Sequence, residues 1–325
     1  MRILIRTSLH TAALISAAVC FTACTGPSHL ELAIDSADED AWNAAAPGLL
    51  DRLRSDEVPP VLEPLAPADR TGLMTAYATP SLRASRRRTN TYAHPIHASP
   101  DGGSDLVRSQ IVEHPGFDEI AIGWVADRLD CYLVQVNGSC VLEWIDPSNE
   151  RPTGSRSTLV WSSTNGHDYV SLGRLAIEAG LSGEDGMSLS RLRLLHERQP
   201  ERIAELMLVN PRYIFFRELD DGDSLQGSRG RPLVPGVSLA ADPMHPAGSI
   251  LLVVPADGGT PVIGLVHDGG AAIVGPQRLD RYRGVGAEAM HEAGRTQVPV
   301  RVFRVRLPDD GPETNETRPA TSDAG

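Results

Sequence analysis

The chain opens with a basic start, Arg2 and Arg6, followed by an apolar run from Thr11 to Thr22. That run is too short to span a bilayer and has the form of a secretory signal. From Gly26 to about Asp69 the sequence is rich in Ala, Asp, Glu and Pro and predicts one helix near Ala41–Leu53, a tether carrying a docking helix. Apolar and polar residues then alternate along Thr71–Pro80 and Tyr92–His97, either side of a basic turn at Arg83–Arg88, as they do in half-buried strands. Two more strands are predicted at Cys131–Val136 and Cys140–Trp144. The Asn137-Gly138-Ser139 step between them is a strong hairpin signal.

The period then changes to helical. Leu172, Leu175, Ala176 and Ala179 share one face, and Gly180 supplies a stop. Ser188 can cap a second helix with Leu192 and Leu195 on one side, and Pro200 begins a third that runs to about Val209, ended by Asn210-Pro211. Short strands return at Tyr213–Phe216, Ser249–Val254, Val262–Val266 and Pro299–Val305, and Pro308–Gly325 is a polar tail expected to be disordered.

Composition supports a mixed, β-rich protein. Of 325 residues 41% are hydrophobic, enough for a packed core, while 30 Gly and 25 Pro indicate many turns. The length suits two domains. With 30 Lys+Arg against 42 Asp+Glu the net charge is −12, which excludes a chain built to coat nucleic acid. No later segment is long and apolar enough for a transmembrane helix. The signal ends Phe21-Thr22-Ala23-Cys24, which resembles a bacterial lipobox and makes Cys24 the lipidation site. Triacylation would hold the protein stably at a membrane, and with Thr25 rather than Asp next in line the expected place is the periplasmic face of the outer membrane. Cys131 and Cys140 could form a disulfide in that compartment. A direct bridge across the hairpin is disfavoured, because Cys140 would lie opposite Gln135. The ten His are scattered, so no metal and no cofactor is expected.

Asp242, Asp268 and Asp280 stand among the C-terminal strands, where aspartate is unfavourable unless it does something. Each alone could cap a turn. Their setting, with His267-Asp268-Gly269-Gly270 and Arg278-Leu279-Asp280-Arg281-Tyr282-Arg283-Gly284, resembles the three-aspartate (3D) domain that closes the membrane-bound lytic murein transglycosylase A (MltA) family. Upstream segments are similar to that family in the same order. They include Thr75-Ala76-Tyr77-Ala78-Thr79-Pro80, Leu133-Val134-Gln135-Val136-Asn137-Gly138-Ser139, Asn165-Gly166-His167-Asp168-Tyr169 and Asn210-Pro211-Arg212-Tyr213.

The resemblance implies a mainly β fold with α, in which a double-psi β-barrel carries an inserted α+β domain and a groove runs between them. The implied division is a signal peptide over 1–23 and a tether with docking helix over 24–65. The catalytic barrel follows from 66–90 and 212–307, its 3D segment starting at about 232, with the inserted domain over 91–211 and the tail over 308–325. It further implies peptidoglycan glycan strands as substrate and other cell-wall enzymes as partners. Cleavage would fall between MurNAc and GlcNAc, with 1,6-anhydro-MurNAc formed. Asp280 corresponds to the catalytic acid and Asp268 to the carboxylate beside it; Thr79, Gln135, Ser139, Asn165, Tyr169 and Asp242 fall where substrate contacts are expected. One acid can suffice, because an intramolecular hydroxyl replaces water as the nucleophile. A hydrogen-bonded Asp280–Asp268 pair, partly desolvated, would keep one carboxyl protonated. Ala76, Ala78, Asn137 and Cys140 depart from the family pattern, and Gly275 to Asp280 is one residue longer. These departures leave a second reading open, a lipoprotein that binds glycan without cleaving it.

Overall fold

The computed structural model describes residues 28–55, 60–181, 187–220, 222–270 and 272–307. The signal, the Cys24 lipobox and the tail lie outside them. Three short helices, α1 (His29–Asp35), α2 (Glu39–Ala45) and α3 (Leu49–Arg54), lead into β1 (Val61–Pro64), β2 (Gly72–Thr79), β3 (Ser81–Ser85) and β4 (His94–His97). Then come α4 (Arg108–Glu113), β5 (Ala121–Val125), α5 (Arg128–Asn137), β6 (Ser139–Ile145) and β7 (Pro152–Thr164). The helical stretch follows as α6 (Leu172–Glu178), α7 (Leu189–Arg198) and α8 (Pro200–Val209). The chain finishes with β8 (Ile214–Glu218), β9 (Ser238–Ala241), β10 (Ile250–Pro255), β11 (Val262–Asp268), β12 (Arg278–Val285), α9 (Ala287–Arg295) and β13 (Gln297–Arg306).

The strands form two sheets. One closes into a ring in the order β13-β10-β11-β9-β12-β2, with β2 pairing back to β13. Within it β2 runs parallel to β12 and β9 parallel to β11. The ring is filled by Met74, Leu239, Leu251, Val253, Val266, Leu279, Val300 and Val302. The other sheet has the order β4-β5-β3-β6-β7-β8, and a bridge from Ala98 to Phe216 joins its two ends. Its membership moves the expected boundaries: β3 and β8, expected in the barrel, pair in the second sheet. Each lies in a chain passage between the sheets, where no composition change marks the step.

The expected single docking helix is three helices, interrupted at Ser36-Ala37-Asp38 and at Ala46-Pro47-Gly48, where Gly48 takes φ +72°. They cover the outer face of β10 and β11. Leu30, Ile34, Trp42, Leu50 and Leu53 pack on Ile250, Leu252, Val254, Ile263 and Leu265. With both faces buried, Ile250–Pro255 reads as an unbroken apolar run rather than an alternation.

The expected strand at Cys131–Val136 is instead α5. The Asp127 side chain accepts from Asp130 N at 2.8 Å and so caps the helix start. Gly138, at φ +80°, ends it with its N–H bonded to Val134 O at 2.8 Å. The Asn-Gly step is therefore a helix terminus and not a hairpin turn. Cys131 then lies on a helix and Cys140 on β6, both buried and both free thiols rather than a disulfide. The Cys131 thiol donates to Pro95 O at 3.3 Å, and burial pushes it up to about 12. The three later helices fall where their periodicity puts them.

Trp42 is 2% exposed and centres the helix layer. Trp42→Ala should cost about 3–5 kcal/mol, the range for emptying a large aromatic site. The expected result in guanidinium unfolding is a lower midpoint at unchanged slope if helices and barrel unfold together; a separate early transition would mean that the helix layer melts alone.

Candidate active site

Alternation along β2 sends Met74 into the barrel and Thr75, Tyr77 and Thr79 to its outer face. On β12 the same rule buries Leu279 inside and leaves Asp280 and Tyr282 outside. Parallel pairing sets Asp280 beside Thr75 and Tyr282 beside Tyr77. The contacts follow from this register: Thr75 Oγ1 donates to Asp280 Oδ1 at 2.7 Å, the Tyr77 and Tyr282 rings lie 5.2 Å apart, and the Thr79 and Tyr282 hydroxyls are 3.1 Å apart.

Asp268 needs a further device. By parity it would share the inward face of Val266. Between them the register slips, from Val266↔Leu239 to Asp268↔Ala240, so His267 is an extra residue and the bulge re-aims the carboxylate outward. Three donors converge on it: Tyr77 OH at 2.7 Å, and the backbone N–H groups of Ser228 and Gly269, each at 2.8 Å. Ser228 can reach it because Gly227 presses against the His267 carbonyl, where a Cβ would come within 2.3 Å. Tyr77 is a firm donor, since burial first and then the Asp268 charge push its phenol far up.

Ala240 on β9 lies in register with both Asp268 and Asp280, one on each side. Their Cα atoms are thus two strand spacings apart, roughly 9–10 Å. The expected hydrogen-bonded pair does not form; each carboxyl has its own partners. Burial is what pushes the Asp280 carboxyl above the usual carboxylate range. The Thr75 hydrogen bond and the Arg278 charge oppose it, and the Asp268 charge adds the smallest push.

Beside this face is a cleft of about 610 Å³ between the two sheets, walled by Tyr77, Thr79 and Asp268 from the barrel and by Ser139, Trp161 and Arg217 from the second sheet. Of the residues expected from sequence, Thr79, Ser139 and Asp268 line it, and Asp280 sits in the next strand position with Thr75. Four are placed elsewhere. Asn165 is buried, donating to Leu106 O and Pro211 O and accepting from Tyr213 N, so it clamps three loops. Gln135 is buried and accepts from Arg108 at 2.5 Å, beside a separate cleft of about 590 Å³ that holds neither carboxylate. Asp242 ties loops together through Gly275 N at 2.6 Å and Met244 N at 2.9 Å. Tyr169 is exposed before α6, outside the cleft wall. Thr75, Tyr77, Tyr282, Trp161 and Arg217 were not singled out from sequence, although the Thr75/Tyr77/Thr79 alternation was there to be read. Ala78 is buried against Ala289 and Ala293 of α9.

Residues 106–217 match the MltA specific insert domain and residues 237–306 match the 3D domain. Over 232 residues the chain is 30% identical to "Membrane-bound lytic murein transglycosylase A" of Escherichia coli (strain K12), a match covering 68% of this chain and 61% of that protein. The Vibrio cholerae protein of the same name is 28% identical over 248 residues, with 72% and 65% covered. The chain therefore spans less than two thirds of the length of these relatives. Among solved structures it is similar to E. coli MltA with bound chitohexaose, at a TM-score of 0.63 and 27% identity over 74% of this chain and 73% of that one. It is also similar to the lytic transglycosylase LtgG of Burkholderia pseudomallei, at a TM-score of 0.56 and 26% identity over 85% and 88%.

The raised Asp280 carboxyl has a consequence for stability. A group whose folded pKa lies above its unfolded value contributes fully below the unfolded value, about 3.9 for Asp, and loses that contribution as pH rises through the folded value. Asp280→Asn removes the cost of ionising the group and should be the more stable protein at pH 7. The advantage should close toward pH 3. Melting temperatures across that range check it, and a gap that widened on acidification would contradict the burial argument.

Proposed function

The chain belongs to the MltA family with a C-terminal 3D domain, and on that premise we propose that it is a peptidoglycan lytic transglycosylase. It cleaves the MurNAc-β-1,4-GlcNAc bond and leaves 1,6-anhydro-MurNAc. The observation that carries this reading is Asp280, a half-buried carboxyl raised by desolvation and fixed by Thr75 at 2.7 Å, beside a cleft large enough for sugar rings. In its protonated form Asp280 donates to the GlcNAc O4 as the C1–O4 bond breaks. The resulting carboxylate takes the proton from the MurNAc C6 hydroxyl as O6 bonds to C1, which restores the acid. No water is consumed, and the nucleophile, already tethered to the reacting ring, has a large effective concentration.

Asp268 stays two strand spacings away with three donors on it, so it acts through its charge rather than by sharing the proton of Asp280. Ser139 supplies a hydroxyl on the cleft wall, whereas that of Thr79, 2% exposed, is bonded to Tyr282 OH behind it. The ring of six strands is read as the double-psi β-barrel of the family, with the second sheet and its helices as the insert and the cleft as the glycan groove. A chitohexaose bound to the E. coli relative supports a glycan ligand. Lipidation at Cys24 would place the enzyme on the periplasmic face of the outer membrane, next to its polymer and to other cell-wall enzymes.

The test is release of anhydromuropeptides from purified peptidoglycan, read by mass spectrometry. Asp280→Ala, folded, should lose at least the ~10²-fold of a general acid-base group; release near the wild-type rate would reject Asp280. Silent wild-type protein that still binds glycan would favour the non-catalytic reading. Activity requires protonated Asp280 and so falls as pH rises through its pKa. Asp268→Asn removes one small push on that pKa, and the basic limb of the kcat/KM profile should move slightly toward acid. A shift toward base would contradict the assignment of roles.

A further inference from the structure

Trp161 breaks the burial pattern of its sheet. It is in register with Phe216, which is 1% exposed, yet Trp161 itself is 53% exposed. At this point β7 carries a bulge: the register passes from Trp161↔Phe216 to Ser163↔Phe215, leaving Ser162 as the extra residue. Bulges of this kind re-aim the neighbouring side chain, and here the indole stands on the wall of the cleft that holds Tyr77 and Asp268. A half-exposed indole on a cleft wall offers a flat apolar face and a polar N–H to a ligand. One strand over, Arg217 is in register with Val160 and lines the same cleft. Its guanidinium bonds only weakly to Glu218 O, at 3.4 Å, and among the described residues no carboxylate is ion-paired with it. The other charged residues of the wall are Asp223 and Asp268, so Arg217 supplies its one positive charge among the described residues.

Resting on the lytic transglycosylase reading, we propose that Trp161 and Arg217 form a recognition pair for the muramyl unit together with its peptide. The Trp161 indole packs against the apolar face of a pyranose ring. Arg217 takes a carboxylate of the stem peptide carried on the lactyl group. The two faces of the cleft then divide the work: the barrel holds the carboxyls that act on the glycosidic bond, and the second sheet decides which sugar is presented to them. A guanidinium suits this task because its planar fork matches a carboxylate bidentately.

The experiment compares wild type with Trp161→Ala, Trp161→Phe, Arg217→Gln and Arg217→Lys in the full chain. Two substrates are used, peptide-bearing glycan strands and the same strands stripped of stem peptides by an amidase. Equilibrium binding and anhydromuramyl product release are measured side by side. Trp161→Ala should weaken binding and raise KM about ten-fold on both substrates, with Trp161→Phe largely restoring them. Arg217→Gln should do so on the peptide-bearing strands alone, removing the preference for them, while Arg217→Lys keeps part of it. Unchanged binding in Trp161→Ala, or equal loss on both substrates in Arg217→Gln, would overturn the proposal while leaving the activity intact. If all proteins bind in the expected pattern but wild type releases no anhydro product, the recognition pair stands and the lytic reading fails.

Discussion

A carboxyl held above the usual carboxylate range must be removed from water without being ion-paired to a cation. The parallel pairing of β2 with β12 meets that requirement for Asp280. It sets Thr75 alongside as a neutral donor and lets the barrel wall desolvate the group, while Arg278 directs its guanidinium to the Leu73 and Leu279 carbonyls. Shifting either strand by one residue would turn Thr75 and Asp280 toward opposite faces. Everything else at the site is arranged around that register. β9, between β12 and β11, fixes how far Asp268 stands from Asp280, and Tyr77, two residues beyond Thr75 on the same face, reaches across to hold it.

Both sheets use the same device to bring a side chain to the cleft. An extra residue at His267 turns Asp268 out of the barrel interior, and one at Ser162 accompanies the outward indole of Trp161. A regular strand would have spent each of these side chains in a core, because its period of two leaves no choice of face. Bulges interrupt that period locally while the flanking pairs remain in register. The close approach at Gly227, which lets a loop N–H meet Asp268, serves the same site from the outside of the barrel.

The patterned polar residues divide into those that line the cleft and those that hold the scaffold beneath it. Asn165 and Asn210 stand in strongly patterned segments, but their amides are consumed in joining loops: Asn165 binds three backbone groups, and Asn210 donates to Tyr132 OH and accepts from Val170 N. Arg108, buried beside them, gives its guanidinium to Gln135 and to the Asn210 and Arg212 carbonyls, between the rings of Tyr132 and Tyr213. Such densely bonded polar networks specify one arrangement of a mixed sheet-and-helix domain.

Local sequence by itself determined the elements whose signals are local. The three helices between residues 171 and 209 follow from capping serines, a first-turn proline and apolar spacing, and the strands at Ile250–Pro255 and Val262–Asp268 from apolar runs between turns. It also marked Asp268 and Asp280 as aspartates out of place in strands. Tertiary structure decided what depends on partners distant in the chain. Whether Cys131–Val136 is strand or helix turned on packing, because its β-branched residues suit a strand while Asp127 and Gly138 cap a helix, and only burial of Leu129, Tyr132 and Val134 settles the contest. Which strands join which sheet, which face Asp268 takes after an extra residue, and which of several patterned polar residues reach the cleft rather than clamp a loop are all set by pairing between segments that can lie more than two hundred residues apart. The hydrogen bond from Thr75 to Asp280 spans 205 positions, and no window of sequence contains it.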